Sequence, residues 1–300
     1  MTVPHHITAC ICTFRRPELL RGLLQKLAEQ ETDGLFSYSL VVADNDAGRS
    51  AEPVVLNFRA RSTIPIVYCV EARQNIALAR NRAIANATGD LLAFIDDDEL
   101  PTSRWLLTLF QTLTEYEVDG VLGPVKPSFP PETPLWVIKG KFYERPTYAT
   151  GMVVEWRKGR TGNTLLRRAI FPEGQPWFQK EFLVGEDQDL FRRMIANGHV
   201  FVWCNEAIAY EDVPPLRWKR SFMLRRALLR GRMSLVHPTA GMLYVAKSLA
   251  AVPAYILILP IALCLGQAKC MDIAIRLCDH IGRLLAVLGI NPVREPYVTG

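Results

Sequence analysis

Short apolar runs alternate with amphipathic segments along the first half of the chain. Apolar runs predict buried strands at residues 7–13, 40–43, 64–70, 91–95 and 120–125. Leucines at helical spacing predict a helix that starts near Pro17, and similar patterns predict helices at 75–87 and 104–116. Strands that alternate with helices predict an α/β fold, with a mainly parallel sheet covered by helices on both faces.

The pattern is weaker in the middle of the chain. Residues 126–176 are rich in Pro, Gly, Trp and Arg, which predicts irregular loops and short strands beside a cleft. A strand at 163–168 and a helix at 186–197 follow. The predicted division of the chain is an α/β domain at 1–215 and a separate helical, membrane-associating region at 216–300.

The last quarter of the chain combines a basic segment with an apolar one. Residues 217–234 contain seven Lys and Arg residues and no acid. The 21 residues at 248–268 carry no charge, and a helix of that length crosses a bilayer core of roughly 30 Å. Because Pro253 and Pro260 interrupt the run, a kinked span, a re-entrant hairpin, shallow interfacial helices and a buried core helix all stay open. The basic neighbour favours contact with an anionic membrane surface.

Charge and cysteine content narrow the class of protein. The net charge is only +5, and the basic residues concentrate beside an apolar segment, so nucleic acid is not an expected partner. The seven cysteines form no CxxC pair and no His/Cys ligand spacing, which predicts free thiols in a reducing compartment. The first residues lack a signal-peptide pattern, so we expect a cytosolic N-terminal part.

Acidic residues follow two of the predicted strands. Asp44 ends the second strand, and Asp96, Asp97 and Asp98 directly follow the fourth. Ligands gather at the carboxyl ends of parallel strands, which makes these positions informative. Adjacent ionised carboxylates repel one another, which raises their pKa values, and a bound divalent cation offsets this repulsion. Oxygen ligands predict Mg²⁺ or Mn²⁺, and a solvated acidic turn is the alternative.

A second acidic group opens the predicted helix at 186–197, where Glu186 and Asp187 follow a glycine. An attacking hydroxyl needs a base, and a carboxylate across the cleft from a metal can accept its proton. Acids in a first helical turn also stabilise the helix through its dipole. This pattern alone therefore does not separate a catalytic role from a structural one.

Four segments, in this order, resemble the family 2 glycosyltransferases with the GT-A fold. They are CTFRRPEL at 12–19, VADND at 42–46, the run from NIALARN at 75–81 to FIDDD at 94–98, and GED at 185–187. The likeness covers roughly residues 7–212. Further stretches, such as LGPV at 122–125 and GNTLLRR at 162–168, are similar to bacterial exopolysaccharide enzymes of the succinoglycan type.

The resemblance implies a nucleotide-sugar half at about 1–125 and an acceptor half at about 126–215. The residues that it assigns to the nucleotide sugar are Thr13, Arg15, Asp44, Asn75, Arg80 and Asp97. It implies Asp96 and Asp98 as ligands of Mg²⁺ or Mn²⁺, and Asp187 as the base of a displacement that inverts the anomeric configuration. The residues that it places on the acceptor side are Asn163, Trp177 and Glu186. Trp177 also suits a purely structural role.

The resemblance further implies a substrate pair and a location. It favours UDP-glucose as donor and a lipid-linked oligosaccharide or a polysaccharide as acceptor, at the cytoplasmic face of the inner membrane. The basic segment would contact either acidic lipids or the diphosphate of the acceptor, and the arginines concerned are Arg225, Arg226, Arg230 and Arg232.

Two other functions stay open. A sugar nucleotidyltransferase shares this kind of sheet and metal, but TFRRP at 13–17 stands where such an enzyme has its Gly-rich phosphate loop. A non-catalytic, membrane-bound nucleotide-binding relative would not need to keep Asp96, Asp98 and Asp187.

Overall fold

The computed structural model describes residues 5–171, 174–182, 185–235, 242–291 and 293. The chain forms two compact units. The first unit comprises Met1–Lys126, Arg145–Glu181 and Gly185–Glu211. The second unit comprises Pro127–Glu144, Phe182–Val184 and Asp212–Gly300. The predicted domain division at 215 stays a prediction.

A seven-stranded sheet forms the centre of the first unit. Its strands are β1 (His5–Thr13), β2 (Phe36–Asp44), β3 (Ile66–Val70), β4 (Leu91–Asp96), β6 (Gly120–Leu122), β8 (Asn163–Arg167) and β9 (Phe201–Trp203). The order is β3-β2-β1-β4-β8-β6-β9. The first four strands in this order are parallel, β8 is antiparallel to both of its neighbours, and β9 is parallel to β6. A three-stranded sheet contains β5 (Glu99–Pro101), β10 (Ala209–Asp212) and β7 (Val125–Ser128).

Helices cover both faces of the seven-stranded sheet. They are α1 (Pro17–Ala28), α2 (Glu52–Arg61), α3 (Ile76–Asn86), α4 (Trp105–Glu115) and α6 (Glu186–Ala196). Side chains of β1 alternate between the faces, so that Ile7, Ala9 and Ile11 pack with α1, α2 and α4. Cys10, which points the other way, packs with α3 and α6. The predicted α/β fold with a mainly parallel sheet is confirmed.

Two elements of the first unit differ from the sequence-based expectation. Helix α2 was not predicted, because its two buried side chains, Val54 and Val55, are adjacent and give no helical periodicity. The strand predicted at 120–125 is instead two strands, since β6 ends at Leu122 and the chain enters β7 at Val125.

The second unit is built from α5 (Leu135–Lys139), α7 (Arg220–Met233), α8 (Met242–Cys264) and α9 (Gln267–Val287). Helix α9 contacts α5, α7 and α8. Its backbone lies very close to that of α7. A Cβ on Gly231 would lie only 2.0 Å from the Asp279 carbonyl oxygen. A Cβ on Gly282 would lie 2.1 Å from the Leu228 carbonyl oxygen. Only glycine permits this approach of the two backbones.

The uncharged run at 248–268 does not form one helix. Helix α8 contains both prolines and ends at Cys264, and α9 begins after Gly266, which has a φ of 104°. By length and composition α8 is sufficient to cross a membrane, and only 11% of its apolar window is buried. Within the part of the chain that the structure describes, α8 is therefore not a buried core helix.

Candidate functional site

The carboxyl ends of β1, β2 and β4 bring most of the predicted donor residues to one edge. The register places Thr13 beside Asp44, and Cys12 beside Asp96. Four consecutive residues, Asp96 to Glu99, then lead from β4 into β5. This is the edge at which open α/β sheets bind ligands.

Asp44 is fully buried, and both of its carboxylate oxygens accept hydrogen bonds from the protein. Oδ1 accepts from the Asp46 backbone N–H at 3.1 Å. Oδ2 accepts from the Ala51 N–H at 2.8 Å and from the Tyr68 hydroxyl at 2.8 Å. Burial, followed by this bond to the carboxylate, raises the pKa of the Tyr68 hydroxyl. Asp44 therefore fixes the loop after β2, a role that its sequence motif did not show.

Asn45, the next residue, ties three segments together and was also missed from sequence. Its Nδ2 donates to the Glu71 and Arg73 carbonyl oxygens, both at 2.8 Å. Its Oδ1 accepts from the Asn75 N–H at 2.9 Å. Asn75 in turn caps α3, because its Oδ1 accepts from the Leu78 N–H at 3.1 Å. The predicted contact of Asn75 with a nucleotide stays a prediction.

Arginines surround the three aspartates. Arg16 Nη1 lies 3.2 Å from Asp97 Oδ1 and 3.3 Å from Asp98 Oδ2. Asp97 is buried and also accepts from the Thr13 hydroxyl at 2.7 Å. Burial raises the pKa of Asp97 to about 7, while the charge of Arg16 opposes the rise. Arg80 Nη2 lies 3.4 Å from Asp96 Oδ1.

Glu99 adds a fourth carboxylate to this edge, and it is not among the site residues predicted from sequence. It is buried, and its Oε2 accepts from the Asp96 N–H at 3.1 Å. Arg145 Nη1 lies 3.7 Å from Glu99 Oε1, and Arg145 Nη2 lies 2.5 Å from Glu211 Oε2. Burial and the neighbouring Asp96 raise the pKa of Glu99 well above its usual range, although Arg145 opposes the rise.

The donor set at this edge fits a divalent cation that is shared with a substrate. Among the residues that the structure describes, no three Asp, Glu, His or Cys side chains are grouped to hold a metal ion alone. Mg²⁺ usually takes one or two carboxylates and completes its shell with water and substrate phosphates. Asp96, whose side chain is 42% exposed, and Asp98 offer hard oxygen ligands of that kind.

The start of α6 is connected to the aspartates through Arg80. The buried Glu186 forms an ion pair with Arg80, which also faces Asp96. Burial raises the pKa of Glu186 to about 7, and the charge of Arg80 opposes the rise. Asp187, the next residue, is half-buried, and its Oδ1 accepts from the Gln188 N–H at 2.7 Å. Arg80 thus connects Asp96, one of the predicted metal ligands, to Glu186, the residue directly before the predicted base.

Three further predicted residues occupy different positions. Asn163 is buried, and its amide bonds to the Pro124 and Ala207 carbonyl oxygens and to the Trp105 indole N–H at 2.7–3.0 Å. Trp177 stacks on Phe171 within the core beside α6. Arg15 is exposed, with Nε 3.3 Å from Asp46 Oδ1. Their substrate contacts stay predictions.

Comparison with known sequences gives a family for this arrangement. Residues 8–173 match the family described as Glycosyl transferase family 2. The chain is 33% identical over 308 aligned positions to the succinoglycan biosynthesis protein ExoM of Rhizobium meliloti (strain 1021). That alignment covers 97% of this chain and 95% of ExoM.

Solved structures support the same fold. The mannosyltransferase PcManGT from Pyrobaculum calidifontis, solved with GDP-Man and Mn²⁺, superposes with a TM-score of 0.66 at 16% identity. The match covers 96% of this chain and 88% of PcManGT. S. aureus TarS 1–349 in complex with UDP gives a TM-score of 0.54 at 15% identity, over 96% of this chain and 93% of TarS 1–349. These likenesses show the GT-A fold.

Proposed function

Because the chain belongs to glycosyl transferase family 2 and is of the exopolysaccharide type, we propose that it is a metal-dependent, inverting hexosyltransferase. It moves a sugar, with glucose favoured, from a nucleotide diphosphate such as UDP to a lipid-linked oligosaccharide or a polysaccharide. The observation that carries this proposal is the path Asp96–Arg80–Glu186, which connects one metal-ligand candidate to the start of α6.

Residues at the ends of β1, β2 and β4 bind the donor in this proposal. Thr13 holds Asp97 in place for the ribose, and the Asp44 loop encloses the nucleobase. Arg15 lies at the exposed side of this edge. Asp96 and Asp98 would hold Mg²⁺ or Mn²⁺ against the diphosphate. When bound, the cation offsets the negative charge that develops on the departing nucleotide.

Asp187 is the proposed catalytic base. Its carboxylate takes the proton of the acceptor hydroxyl while the hydroxyl oxygen forms a bond to the anomeric carbon. The bond from that carbon to the diphosphate oxygen breaks on the opposite face, so one displacement inverts the configuration. Glu186, held by Arg80, positions the first turn of α6 and so orients its neighbour Asp187.

We further propose that the enzyme works at the cytoplasmic face of the inner membrane, with α8 lying in the membrane surface. Helix α8 exposes large apolar side chains such as Leu257 and Leu263, and α7 exposes Arg225 and Arg226 to anionic lipid. Apolar contact and positive charge together favour an interfacial position.

The packing of α8 on α9 favours this interfacial position over a span. Ser248 of α8 bonds to His280 and Arg283 of α9, at 3.0 Å and 2.9 Å. Helix α9 also carries an ion pair between Arg276 and Asp272. A spanning α8 would draw these charged groups of α9 into the hydrocarbon, at a cost of several kcal/mol.

The catalytic proposal is tested by metal-dependent UDP release from UDP-glucose, with host lipid extract as acceptor source. We expect Asp187→Asn to bind UDP normally and to turn over about 10²- to 10⁴-fold more slowly. Asp272→Asn, the same change on α9, is the matched control and keeps full turnover. A variant at Asp187 that turns over like wild type would falsify the base assignment.

The same assay separates the alternative functions. A binding-only relative would bind UDP and turn over no member of a donor panel. A nucleotidyltransferase would release diphosphate from a nucleoside triphosphate and a sugar phosphate. Extraction and analysis of the lipid product then identifies the acceptor.

The membrane proposal is tested at Cys264, an exposed thiol beside the turn between α8 and α9. A span would carry this turn to the outer side of the membrane. We expect a membrane-impermeant maleimide to leave Cys264 unlabelled in intact cells and to label it after lysis, with Cys264→Ser as the control. Labelling from outside would show that α8 spans.

A further inference from the structure

A cavity of about 180 Å³ lies in the first unit beside β6, β8 and β9. Among the lining residues that the structure describes, Arg145, Arg157, Lys158 and Arg160 are basic and none is acidic. Tyr148 and Asn163 also line it. The cavity is therefore positively charged, although it borders an acidic edge.

Lining residues of the cavity contact both the acidic edge and the residue that follows the proposed base. Its lining residue Gly162 touches the acidic edge, since a Cβ there would lie 2.6 Å from Glu99 Oε1 and 3.2 Å from Asp96 Oδ2. On its other side, Gln188 Nε2 donates to the Arg157 carbonyl oxygen at 3.1 Å. Gln188 directly follows the proposed base, Asp187.

The position in the sheet excludes the nucleobase as the occupant. The donor residues Thr13 and Asp44 end β1 and β2, whereas the cavity adjoins β8 and β6. Strand β4 separates β1 from β8 in the sheet order. By strand order, the cavity thus lies on the side of the aspartates away from the donor strands, which is the side that the proposed mechanism gives to the acceptor.

Only some of the basic residues that line the cavity form ion pairs with carboxylates. Arg145 is paired with Glu99 and Glu211, and Lys158 with Glu155. Arg157 lies over the Trp156 ring, with 4.4 Å from its Cζ to the ring centroid. Within the part of the chain that the structure describes, neither Arg157 nor Arg160 forms an ion pair with a carboxylate. Two arginine forks with this excess charge suit bidentate contact with an oxyanion.

We propose that this cavity binds an anionic group, a phosphate or a carboxylate, carried by the acceptor sugar near the attacked hydroxyl. Arg157 and Arg160 contact the anion, and Tyr148 lines the sugar side. This assignment rests on the proposed glycosyl transfer, because the transfer defines which substrate is the acceptor. It predicts that a neutral glycoside is a poor acceptor.

The test measures binding without turnover. With UDP and Mn²⁺ present at saturation, so that the donor site is filled, glucose 1-phosphate, glucuronate and methyl glucoside are titrated by calorimetry. We expect at least one charged probe to bind about tenfold or more tightly than the glucoside. The preferred probe identifies the anion as a phosphate or a carboxylate. Added salt should weaken the preference.

The double variant Arg157→Gln/Arg160→Gln should lose this preference and still bind UDP as wild type does. Arg21→Gln/Arg61→Gln removes the same charge from exposed positions elsewhere and should keep the preference. Equal binding of all three probes by wild type, or a preference that survives in the Arg157/Arg160 variant, overturns the cavity assignment. Neither result tests the proposed glycosyl transfer. That proposal would be contradicted by a different result, namely that the wild type releases no UDP from any donor.

Discussion

At the ends of β1 and β2, polar and charged side chains form hydrogen bonds within the protein. The cavity beside β6 and β8, in contrast, contains two arginines that have no carboxylate partner among the described residues. Asp44 accepts three hydrogen bonds, and Asn45 makes three more. Arg157 and Arg160, by contrast, are exposed and line a cavity. The two halves of one sheet thus differ in whether the protein itself or a bound substrate would supply the partners of their polar and charged groups.

This difference suggests a division of work. The donor side is preorganised, because its loops are fixed by buried hydrogen bonds before any ligand arrives. In the proposed transfer, the acceptor side would instead rely on charge, which attracts an anionic substrate and selects against neutral ones. In the following variants, damage on the donor side should therefore appear as lost turnover or stability.

The largest effect is expected for Asp98→Asn. The change removes a proposed ligand of the cation that offsets leaving-group charge, so turnover should fall about 10³-fold, equivalent to several kcal/mol. Measurement of UDP release against Mn²⁺ concentration checks this. Asp33→Asn, in an exposed loop with positive φ that Asn tolerates, is the control. An unchanged metal dependence would remove Asp98 from the ligand set.

Asn163→Ala should cost about 2–3 kcal/mol in the free energy of unfolding, because it leaves the Trp105 N–H and two carbonyl oxygens buried without partners. Urea unfolding followed by fluorescence measures the loss. Asn86→Ala removes one exposed amide bond and should cost less than about 0.5 kcal/mol. If both variants are equally stable, the acceptor side does not depend on this amide, and Asn163 is more available to substrate than the geometry indicates.

Tyr68→Phe isolates one of the three bonds to Asp44. Loss of this neutral donor to a buried carboxylate should lower the free energy of unfolding by about 1.5 kcal/mol and weaken UDP binding modestly. Thermal unfolding and UDP titration give the two values. Tighter UDP binding would contradict a preorganised loop, because it would mean that Asp44 must leave Tyr68 to bind the nucleotide.

The smallest effect is expected for Glu71→Gln. Burial raises the pKa of Glu71, but its bonds to Arg73 and the charge of Arg82 lower it more, so the net pKa lies below its usual value. The ionised form therefore stabilises the fold above the unfolded-state pKa, and this contribution is lost as pH falls through the folded-state pKa. We expect a deficit below about 1 kcal/mol at pH 7 that shrinks as the pH is lowered towards 3. Thermal unfolding across this pH range measures the difference in stability between the variant and the wild type. A difference that grows as the pH falls would contradict the lowered pKa of Glu71.

Local patterns were sufficient for the parts of the fold that depend on local properties. The all-apolar run at 91–95 predicted a buried strand, and the aspartates after it were predicted at the ligand-binding edge. Long-range pairings were not predictable in this way. Arg80 meets Glu186 across 106 positions, and Arg145 meets Glu211 across 66, so no window of sequence contains both partners.

The C-terminal helices show a different limit. The absence of charge at 248–268 left a kinked span, a hairpin and interfacial helices open, and the structure shows that one helix ends before Gly266, which has a positive φ, and another begins after it. Hydropathy reports which residues avoid water, but it does not report where the backbone turns. The signal that could have located the turn was Gly266 itself, at a position that favours a helix end.

The close contact of α7 and α9 at Gly231 and Gly282 has a consequence for how the second unit can be altered. Because backbone meets backbone there, no side chain is available to readjust, and the two helices share one fixed spacing. They should therefore melt together as one cooperative block, although more than thirty residues separate them in sequence. Shortening the protein before α9 would unfold α7 as well, so the basic helix cannot be studied as a part that stands alone.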